Sequence, residues 1–362
     1  MRRLRVMHVV VGGDIGGAER VVVDLARRPE LTAADHVVAL ITPNRALAGY
    51  FAKAGVRVHD RGPARENPLA YLYRSLGPSD VGWLADRIES EAIDVVHTHT
   101  FGSHVLGTRA ARRMRRPQVR TEHHVMHYFD ASSSPFTRWA AERTDRFVAV
   151  SEYVKRVLVE AVPRLGERMT VVRNGVDTTH FSPRDRGAGD FCVGVVCRLT
   201  GWKRVHLAVE AAALAGTELV VIGDGEERAS LEALAHQRGA RARFVGFQPD
   251  PRPLVAACDA ILSTADSEPL GLSVLEALAM ARPVIAFAAG GIPEIVEDGV
   301  TGTLVSDATA AAMARAIEGA RRDRPRLERM GESGRRFVVE QCNIDRMCKG
   351  YAAAYEAAAR AV

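Results

Sequence analysis

Two glutamates stand eight positions apart in the second half of the chain: Glu268 in a predicted turn, and Glu276 in the helix predicted from about Gly271. Amides at a helix start carry partial positive charge and lack acceptors. Those of Leu270, Gly271 and Leu272 therefore suit a phosphate. A carboxylate on each side of a phosphate site suits a ligand with hydroxyls on both sides of a diphosphate, such as a nucleotide sugar. The alternative is a solvated loop glutamate followed by one that complements the helix dipole.

Two cations follow a strand in the same half, within Cys197-Arg-Leu-Thr-Gly-Trp-Lys-Arg204. Arg198 and Lys203 lie between that strand and the next predicted helix, where they would converge on a crevice and bind a diphosphate. An exposed basic loop is the alternative. The turn at Gly246 also ends a strand, and its backbone groups suit the edge of a nucleobase.

A glycine-rich turn follows the first strand, at Val11-Gly-Gly-Asp-Ile-Gly-Gly-Ala-Glu-Arg20. Its spacing is not the G-x-G-x-x-G of dinucleotide-binding proteins, and no acidic residue is clearly placed after the second strand to bind a ribose. Gly16 and Gly17, directly before a helix, still allow a close backbone approach to a phosphate. A tight strand-to-helix turn explains these glycines nearly as well.

Six histidines fall within 31 residues: His97, His99, His104, His123, His124 and His127. Some of their spacings are compatible with a metal. No cysteine accompanies them, and the chain contains no Asp-x-Asp to hold a metal–diphosphate complex, so we predict no metal site. His123 directly follows the predicted strand ending at Glu122, where a polar side chain can contact a ligand. His124 would point to the other face, in a structural role.

The elements that must position these residues alternate along all 362 positions: short β-rich apolar runs, then helix-length segments. This alternation predicts an α/β protein with parallel sheets, and the length allows two domains. We predict Rossmann-like domains at 1–181 and 191–342, a polar linker at 182–190, and a helix at 343–362 that crosses back to the first domain. In two such domains facing across a cleft, the ligand lies between the carboxyl ends of both sheets.

The predicted strands are Arg5–Val11, His36–Ile41, Val56–His59, Asp94–His97, Gln118–Thr121, Arg146–Val150 and Met169–Val172 in the first half. In the second half they are Phe191–Cys197, Glu218–Ile222, Arg243–Val245, Ala260–Ser263 and Pro283–Ala286. The last predicted helix carries Tyr351 and Tyr355 four positions apart, on one face.

Positive charge is concentrated in the first half. Residues 1–181 hold 27 Lys and Arg against 20 Asp and Glu, whereas residues 182–362 hold 22 against 24. The excess centres on Arg109-Ala-Ala-Arg-Arg-Met-Arg-Arg116, a run typical of a solvated helix end. The alternative is attraction to an anionic membrane surface, at about 1 kcal/mol per basic residue. No aromatic residues interleave the arginines, so we expect no nucleic-acid partner.

The longest apolar runs are strand-sized, which predicts no membrane span. The first of them is followed by Gly-Gly-Asp rather than a cleavage site, so we read it as a strand and not as a signal peptide. The five cysteines form no C-x-x-C pair, as expected of free thiols in a reducing cytoplasm.

These segments, in this order, resemble the group 1 retaining glycosyltransferases, family 4 of the GT-B fold. The matching segments are Gly-Gly-Ala-Glu-Arg20, Asp94-Val-Val-His-Thr-His99, Val148-Ala-Val-Ser-Glu152, Val172-Arg-Asn-Gly-Val-Asp177, Cys197-Arg-Leu-Thr-Gly-Trp-Lys203, Val221-Ile-Gly-Asp-Gly225, Phe244-Val-Gly246, Glu268-x7-Glu276 and Pro283-Val-Ile-Ala-Phe-Ala-Ala-Gly-Gly-Ile-Pro-Glu294. They cover nearly the whole chain and are more specific in its second half, as expected if donor recognition is shared and acceptor recognition varies.

The resemblance implies a role for each site residue of the second half. Arg198 and Lys203 would bind the donor diphosphate and stabilise the leaving nucleotide. Glu276 would hydrogen-bond the ribose hydroxyls, and Glu268 would hold hydroxyls of the transferred sugar. The amides of residues 270–272 would complete the phosphate site.

In the first half, the resemblance implies that Gly16 and Gly17 approach the diphosphate and that His123 contacts the transferred sugar near its anomeric centre. One departure affects the phosphate site. Many relatives have Glu-Gly-Phe-Gly where this chain has Glu268-Pro-Leu-Gly271. Pro269 has no amide hydrogen, so the donors begin one residue later.

Residues and resemblance together predict a metal-independent retaining transferase of hexosyl or N-acetylhexosaminyl type, without a cofactor. It would move a sugar from a nucleotide-diphosphate sugar to a hydroxyl of a glycan or lipid-linked glycan, in bacterial-type envelope or exopolysaccharide synthesis. The expected location is the cytoplasm, with attachment to the inner face of the plasma membrane through Arg109–Arg116 left open.

Alternatives are a nucleotide-sugar 2-epimerase on the same fold, a transferase for a small soluble metabolite, a phosphorylase and a non-enzymatic scaffold. An epimerase needs no acceptor site and has no reason to keep the Glu-x7-Glu loop. A phosphorylase needs a pyridoxal-phosphate lysine, and neither Lys203 nor Lys349 has that context. A scaffold has no need of Arg198, Lys203 and the two glutamates.

Overall fold

The structure is a computed structural model that describes residues 2–11, 15–42, 44–62 and 77–361. Two parallel sheets run through these residues, and helices pack against them. Strands and helices alternate as the sequence predicts, so the α/β fold class is confirmed.

Contacts divide the chain into two compact units. The first is Met1–Arg173 with Asp345–Val362, and the second is Asn174–Ile344. The predicted linker at 182–190 lies inside the second unit. It is attached there because Arg186 forms a 2.9 Å ion pair with a buried aspartate of that unit.

The sheet of the first unit has the order β3-β2-β1-β4-β5-β6-β7, with all neighbours parallel. Its strands are β1 Leu4–Val10, β2 Ala34–Leu40, β3 Arg57–Asp60, β4 Val95–Thr98, β5 Gln118–Glu122, β6 Arg146–Ala149 and β7 Met169–Val171. From β1 and β4 the strand order proceeds in opposite directions. Such a switch point is where open α/β sheets bind ligands.

Helices cover both faces of this sheet. They are α1 Gly17–Ala26, α2 Pro29–Thr32, α3 Arg45–Lys53, α4 Pro78–Ser90, α5 Phe101–Arg113, α6 Ser134–Arg143 and α7 Glu152–Ala161, with 3-10 turns at Met126–Tyr128 and Pro163–Arg168. Alternate residues of β1 point to opposite faces. Met7 and Val9 pack with α4 and α5, whereas Val10 packs with α1 and α3. His8 therefore lies on the face of α1 and α3.

The last helix, α14 Ile344–Ala359, packs against the first sheet as predicted. Tyr351 and Tyr355 are fully buried. The Tyr355 hydroxyl is hydrogen-bonded to His97 Nδ1 at 3.0 Å, and the Tyr351 hydroxyl to Thr121 Oγ1 at 3.1 Å. These bonds fix the C-terminal helix to β4 and β5.

The sheet of the second unit has the order β10-β9-β8-β11-β12-β13 and is also parallel. Its strands are β8 Cys192–Val196, β9 Glu218–Ile222, β10 Ala242–Gly246, β11 Ala260–Ser263, β12 Val284–Phe287 and β13 Gly302–Val305. Its helices are α8 Val205–Ala215, α9 Arg228–Arg238, α10 Arg252–Ala257, α11 Leu272–Ala279, α12 Ala310–Arg322 and α13 Arg324–Gln341, with 3-10 turns at Gly201–Lys203 and Ile292–Glu294. The switch point lies between β8 and β11, directly ahead of the predicted cations and glutamates.

Candidate active site

Two loops at the switch point of the second unit bring a lysine and a glutamate into contact. Lys203 follows β8, Glu268 follows β11, and their side chains form an ion pair. They are only 15% and 12% exposed, so water screens the pair weakly. Lys203 Nζ also lies 4.0 Å from the centre of the Trp202 ring, and the Thr264 hydroxyl donates to the Lys203 carbonyl at 2.9 Å. The lysine is held from three directions.

A small cleft beside this pair is lined by Cys197, Lys203, Thr264, Glu268 and Ser273, among others. Burial raises the pKa of Cys197 to about 12. Its thiol therefore stays protonated at neutral pH and is a poor nucleophile. The cleft suits binding and charge stabilisation rather than covalent catalysis.

The Glu268 loop is positioned by glycines that follow β12. The Gly291 amide donates to the Glu268 carbonyl at 2.7 Å. Gly290 has φ +62, and a Cβ atom there would lie 2.1 Å from the same carbonyl oxygen. Only glycine fits so close to another backbone in this conformation. The Gly-Gly pair thus fixes the position of Glu268.

Helix α11 begins beside this loop. Gly271 is its N-cap, with φ +98, and offers no side chain to the first helical amides. Leu270 is buried, and Leu272 is the first helical residue. Glu276 lies in the second turn and is only 4% exposed. The predicted turn, helix start and internal glutamate are all found, and the amides at this start are available to an anion.

Two further predicted site residues, Arg198 and Gly246, belong to the loops that follow β8 and β10, and the loop after β9 packs between them. Arg198 is exposed, directly after Cys197. Its neighbour Leu199 is fixed by close packing, because a Cβ on Gly225 would lie 2.4 Å from the Leu199 carbonyl oxygen. Gly246 ends β10 with φ +72, and its carbonyl accepts the Gly223 amide at 3.0 Å. Three strand ends are thereby joined at one edge of the sheet.

In the first unit, the predicted glycines lie at the start of α1. Gly16 is the N-cap and Gly17 the first helical residue; residues 12–14 of the turn lie outside the described part of the chain. The Gly16 amide donates to the Glu19 carboxylate at 2.9 Å. A phosphate at this helix start would have to share that amide with Glu19, which sequence reasoning did not anticipate.

His123 follows β5, as predicted, and is half-buried, whereas His124 is exposed. The Nε2 atom of His123 lies 3.2 Å from His99 Nδ1. His99 Nε2 lies 2.9 Å from His8 Nδ1, and His8 Nε2 lies 2.8 Å from His36 Nδ1. Sequence reasoning missed His8 and His36. The available signal was an imidazole in each of two neighbouring apolar strands.

His8, His97 and His99 form a group whose ring nitrogens lie within 4.8 Å of one another, a possible metal-ligand set. Both nitrogens of each ring are already hydrogen-bonded to protein atoms; those of His97 contact Tyr355 and Thr121. A metal would have to replace these bonds. The contacts therefore describe a hydrogen-bonded cluster.

Burial lowers the pKa of His8, His97 and His99 well below 6.5, and the neighbouring rings add repulsion. Burial also lowers the pKa of His36 and of His123 to about 3, with Arg120 as a further cause at His123. At neutral pH these five rings are uncharged. Each therefore carries one proton and can both donate and accept a hydrogen bond.

The basic run predicted at 109–116 spans the end of α5. Arg112, Arg113, Arg115 and Arg116 are exposed. A cavity of about 410 Å³ lies on one side of the run and is lined by Pro78, Val81, Arg109, Arg112, Arg113, Trp139 and Arg143. Arg143 stacks on the Trp139 ring at 4.9 Å. The cavity combines cations with apolar surface.

Two family models together match most of the chain: "Glycosyltransferase Family 4" over residues 15–180 and "Glycosyl transferases group 1" over residues 177–337. The chain is 31% identical over 301 residues to the alpha-maltose-1-phosphate synthase of Mycolicibacterium smegmatis. The aligned region covers 70% of this chain and 76% of that protein. It is 37% identical over 152 residues to the lipopolysaccharide core biosynthesis glycosyltransferase LpsE of Rhizobium meliloti, covering 41% of this chain but only 45% of LpsE.

Among solved structures, Anabaena HepE in complex with UDP and glucose has the same fold, with a TM-score of 0.85, 23% identity, and coverage of 97% of this chain and 98% of that one. The chain belongs to the group 1 glycosyltransferases, as the sequence motifs predicted. It is thus a glycosyltransferase of the GT-B fold. Within the described ranges, no helix is long and apolar enough to cross a membrane.

Proposed function

We propose that the chain transfers a sugar from a nucleotide-diphosphate sugar, with retention of configuration, to a hydroxyl of a glycan or lipid-linked glycan in envelope or exopolysaccharide synthesis. The observation that carries this proposal is the contact between Lys203 and Glu268 beside the start of α11, with Glu276 buried one turn further on. A cation, helix amides and two carboxylates at one switch point match phosphates flanked by hydroxyls.

Each residue has an assigned role. Lys203 and Arg198 bind the diphosphate, and the amides of residues 270–272 donate hydrogen bonds to a phosphate oxygen. Glu276 accepts from the ribose hydroxyls, and Glu268 accepts from hydroxyls of the transferred sugar. Glu268 also holds the Lys203 ammonium in position before the donor arrives, since the two side chains are already paired. The backbone near Gly246 contacts the base.

In the first unit, we assign His123 to the transferred sugar and Gly16 and Gly17 to the diphosphate. During transfer the bond from the anomeric carbon to the phosphate oxygen breaks, and the acceptor oxygen bonds the same face of that carbon. The acceptor proton passes to a donor phosphate oxygen. The protein contributes positioning and stabilisation of the negative charge that develops on the leaving nucleotide.

The donor is tested by incubating the purified chain with UDP-, GDP- and dTDP-sugars, hexosyl and N-acetylhexosaminyl, and measuring release of the nucleoside diphosphate. We expect slow hydrolysis of one nucleotide class without acceptor. Retention is then tested with the same donor and an accepted glycan, by reading the anomeric configuration of the product by NMR. An inverted product would contradict the retaining assignment.

Transfer is expected to survive metal chelation. Arg198 and Lys203 supply positive charge beside the leaving group, and the chain has no Asp-x-Asp. The measurement is the initial rate in excess EDTA, with and without added Mg²⁺ or Mn²⁺. A rate abolished by EDTA and restored by either ion would contradict metal independence and redirect attention to the group His8, His97 and His99.

The cavity at the end of α5 suits an acceptor that carries phosphate and an apolar portion. Its arginines complement a phosphate, and Trp139 and Val81 supply apolar surface. A lipid-linked glycan has both features. A soluble sugar phosphate has the first alone, and the name of the M. smegmatis relative, a maltose-1-phosphate synthase, keeps that candidate open.

We expect the chain to co-sediment with vesicles containing anionic lipid at low salt, and much less at high salt, because the screening length falls to about 8 Å at physiological ionic strength. Replacing Arg112 and Arg113 by glutamine should remove most of this binding. Replacing Arg115 and Arg116, which do not line the cavity, is the matched control and should have a smaller effect. Equal losses would indicate general charge attraction, and no sedimentation at low salt would favour a soluble acceptor.

A further inference from the structure

A continuous row of hydrogen-bonded side chains crosses four neighbouring strands of the first sheet. It begins at Thr32, whose Oγ1 lies 2.9 Å from His36 Nε2, and continues through His8 and His99 to His123. The strand order β2-β1-β4-β5 places these residues side by side. Thr32, His8 and His99 are at most 3% exposed. The row therefore joins a buried hydroxyl to the side chain assigned to the sugar.

The direction of the row is set at Thr32. Besides His36, the Thr32 hydroxyl has two neighbours, the Arg28 carbonyl at 3.1 Å and the Ala34 carbonyl at 3.4 Å. Carbonyl oxygens only accept, so the arrangement in which the carbonyl contact and the His36 contact are both hydrogen bonds has the hydroxyl donating to a carbonyl and accepting from His36. His36 is then protonated on Nε2 and presents an acceptor on Nδ1.

The same assignment propagates along the row. A neutral imidazole has one donor and one acceptor nitrogen, so each ring that donates from Nε2 accepts on Nδ1. His8 donates to His36, His99 donates to His8, and His123 donates to His99. All four rings are thus protonated on Nε2. Among the residues that the structure describes, Nδ1 of His123 is the one ring nitrogen of the row that is left for a ligand.

We propose that Thr32, His36, His8 and His99 are positioning residues that fix His123 in the Nε2–H form, so that its Nδ1 accepts a hydrogen bond from a hydroxyl of the bound substrate. The substrate part of this inference rests on the proposed function, whereas the proton assignment does not. The row specifies an acceptor where an isolated histidine could present either a donor or an acceptor.

The surroundings keep the row neutral and ordered. The His97 ring lies tilted against two rings of the row, with its centre 4.0 Å from that of His99 and 4.9 Å from that of His8. Its own nitrogens are hydrogen-bonded to Tyr355 and Thr121, so His97 is not part of the row. On the other face of β5, Arg120 and Glu122 form a buried ion pair at 2.9 Å. Positive charge from Arg120 opposes protonation of His123, in addition to burial.

Removing the hydroxyl at the start of the row should reverse it. In Thr32→Val the Nε2–H of His36 has no acceptor, and leaving it unpaired in the interior is unfavourable. If the proton of each of the four rings moves from Nε2 to Nδ1, every hydrogen bond between the rings reverses its direction and no ring becomes charged. His123 would then accept from His99 on Nε2 and carry its proton on Nδ1. Thr32→Ser keeps the hydroxyl and is the matched control.

The test is ¹⁵N NMR of histidine-labelled full-length protein at neutral pH, in which the two tautomers give different ring nitrogen shifts. His123→Asn identifies the His123 signals by their loss. We expect Nε2–H at His123 in the wild type and in Thr32→Ser, and Nδ1–H in Thr32→Val. An Nδ1–H signal at His123 in the wild type overturns the assignment, and this outcome does not depend on the folding of Thr32→Val. An unchanged His123 signal in folded Thr32→Val overturns the positioning role.

Kinetics with the accepted donor separate the two parts of the inference. Thr32→Val should lower kcat/KM about tenfold, with most of the change in KM, because the hydrogen bond that the substrate hydroxyl donates to His123 is lost, and Thr32→Ser should keep the wild-type value. A tautomer change without a kinetic change overturns the substrate contact but leaves the row intact. Absence of transfer in every variant, with the expected tautomers, contradicts the proposed function alone.

Discussion

Acidification from pH 7.5 to pH 5 is expected to lower the free energy of unfolding of the first unit by about 4 kcal/mol or more. Burial lowers the pKa of His36 and of His123 to about 3. It also holds the pKa of four further rings well below 6.5: His8, His97, His99 and His104. The unfolded chain protonates these rings near pH 6.5, whereas the folded unit keeps them neutral. Below that pH the unfolded state binds more protons, so stability falls as the pH falls.

The size of the effect follows from the number of rings. At pH 5 a ring whose folded pKa is about 3 costs about 2 kcal/mol, so His36 and His123 together cost about 4, a large part of the roughly 5–15 kcal/mol that stabilises a domain. The other buried rings act in the same direction. Urea denaturation at several pH values, with hydrogen exchange of peptides from β1 and β4, measures the loss. His236→Asn, on the exposed end of α9, is the control and should keep the full pH dependence. A urea midpoint that is equal at pH 7.5 and pH 5 would contradict the neutral cluster.

Glu276→Ala is expected to lower kcat/KM by about two orders of magnitude or more. Hydrogen bonds to a charged group contribute about 1.5–3 kcal/mol each, and two ribose hydroxyls give about 3–6 kcal/mol. Because Glu276 is buried in α11, the alanine variant also requires a stability measurement. Glu340→Ala, exposed on α13, is the matched control and should have wild-type kinetics.

Glu276→Gln keeps the volume and one acceptor and should show an intermediate loss. If Glu276→Ala is folded and has wild-type kinetics, the ribose assignment is wrong. Glu268→Gln should act mainly on kcat, since its hydroxyl contacts belong to the sugar that reacts, and it also removes one charge from the pair with Lys203.

The second unit was the more predictable half because its site consists of residues adjacent to strand ends. A strand followed by Arg198 and Lys203, and a turn followed by a helix with Glu276, place their side chains by local geometry alone. The ion pair between Lys203 and Glu268 needed one further fact, that β8 and β11 are neighbours. The sequence places that switch point only by analogy with other α/β sheets.

The histidine row could not be predicted in the same way. His36, His8 and His99 are far apart in sequence and meet because β2, β1 and β4 are adjacent in this register. A single histidine in an apolar strand is consistent with many roles. The spacing of the histidines at 97–127 groups them with one another, whereas His99 contacts His8, and His8 contacts His36. Similarly, helical spacing places Tyr351 and Tyr355 on one face of α14 but does not explain why they are tyrosines. Their hydroxyls are hydrogen-bonded to Thr121 and His97, respectively.

A donor site at β8 and β11 is tested by equilibrium binding of UDP, GDP and dTDP to the wild type, to Lys203→Gln and to Lys349→Gln. Lys349 is an exposed lysine of α14, and its variant serves as the control. We expect one of the three nucleotides to bind the wild type and Lys349→Gln equally. Lys203→Gln should bind it about tenfold or more weakly, because a charge-assisted bond of about 1.5–3 kcal/mol is lost and Glu268 is left as an unpaired negative charge. If none of the three nucleotides binds the wild type, or if Lys203→Gln binds as tightly as the wild type, the donor site is not at β8 and β11.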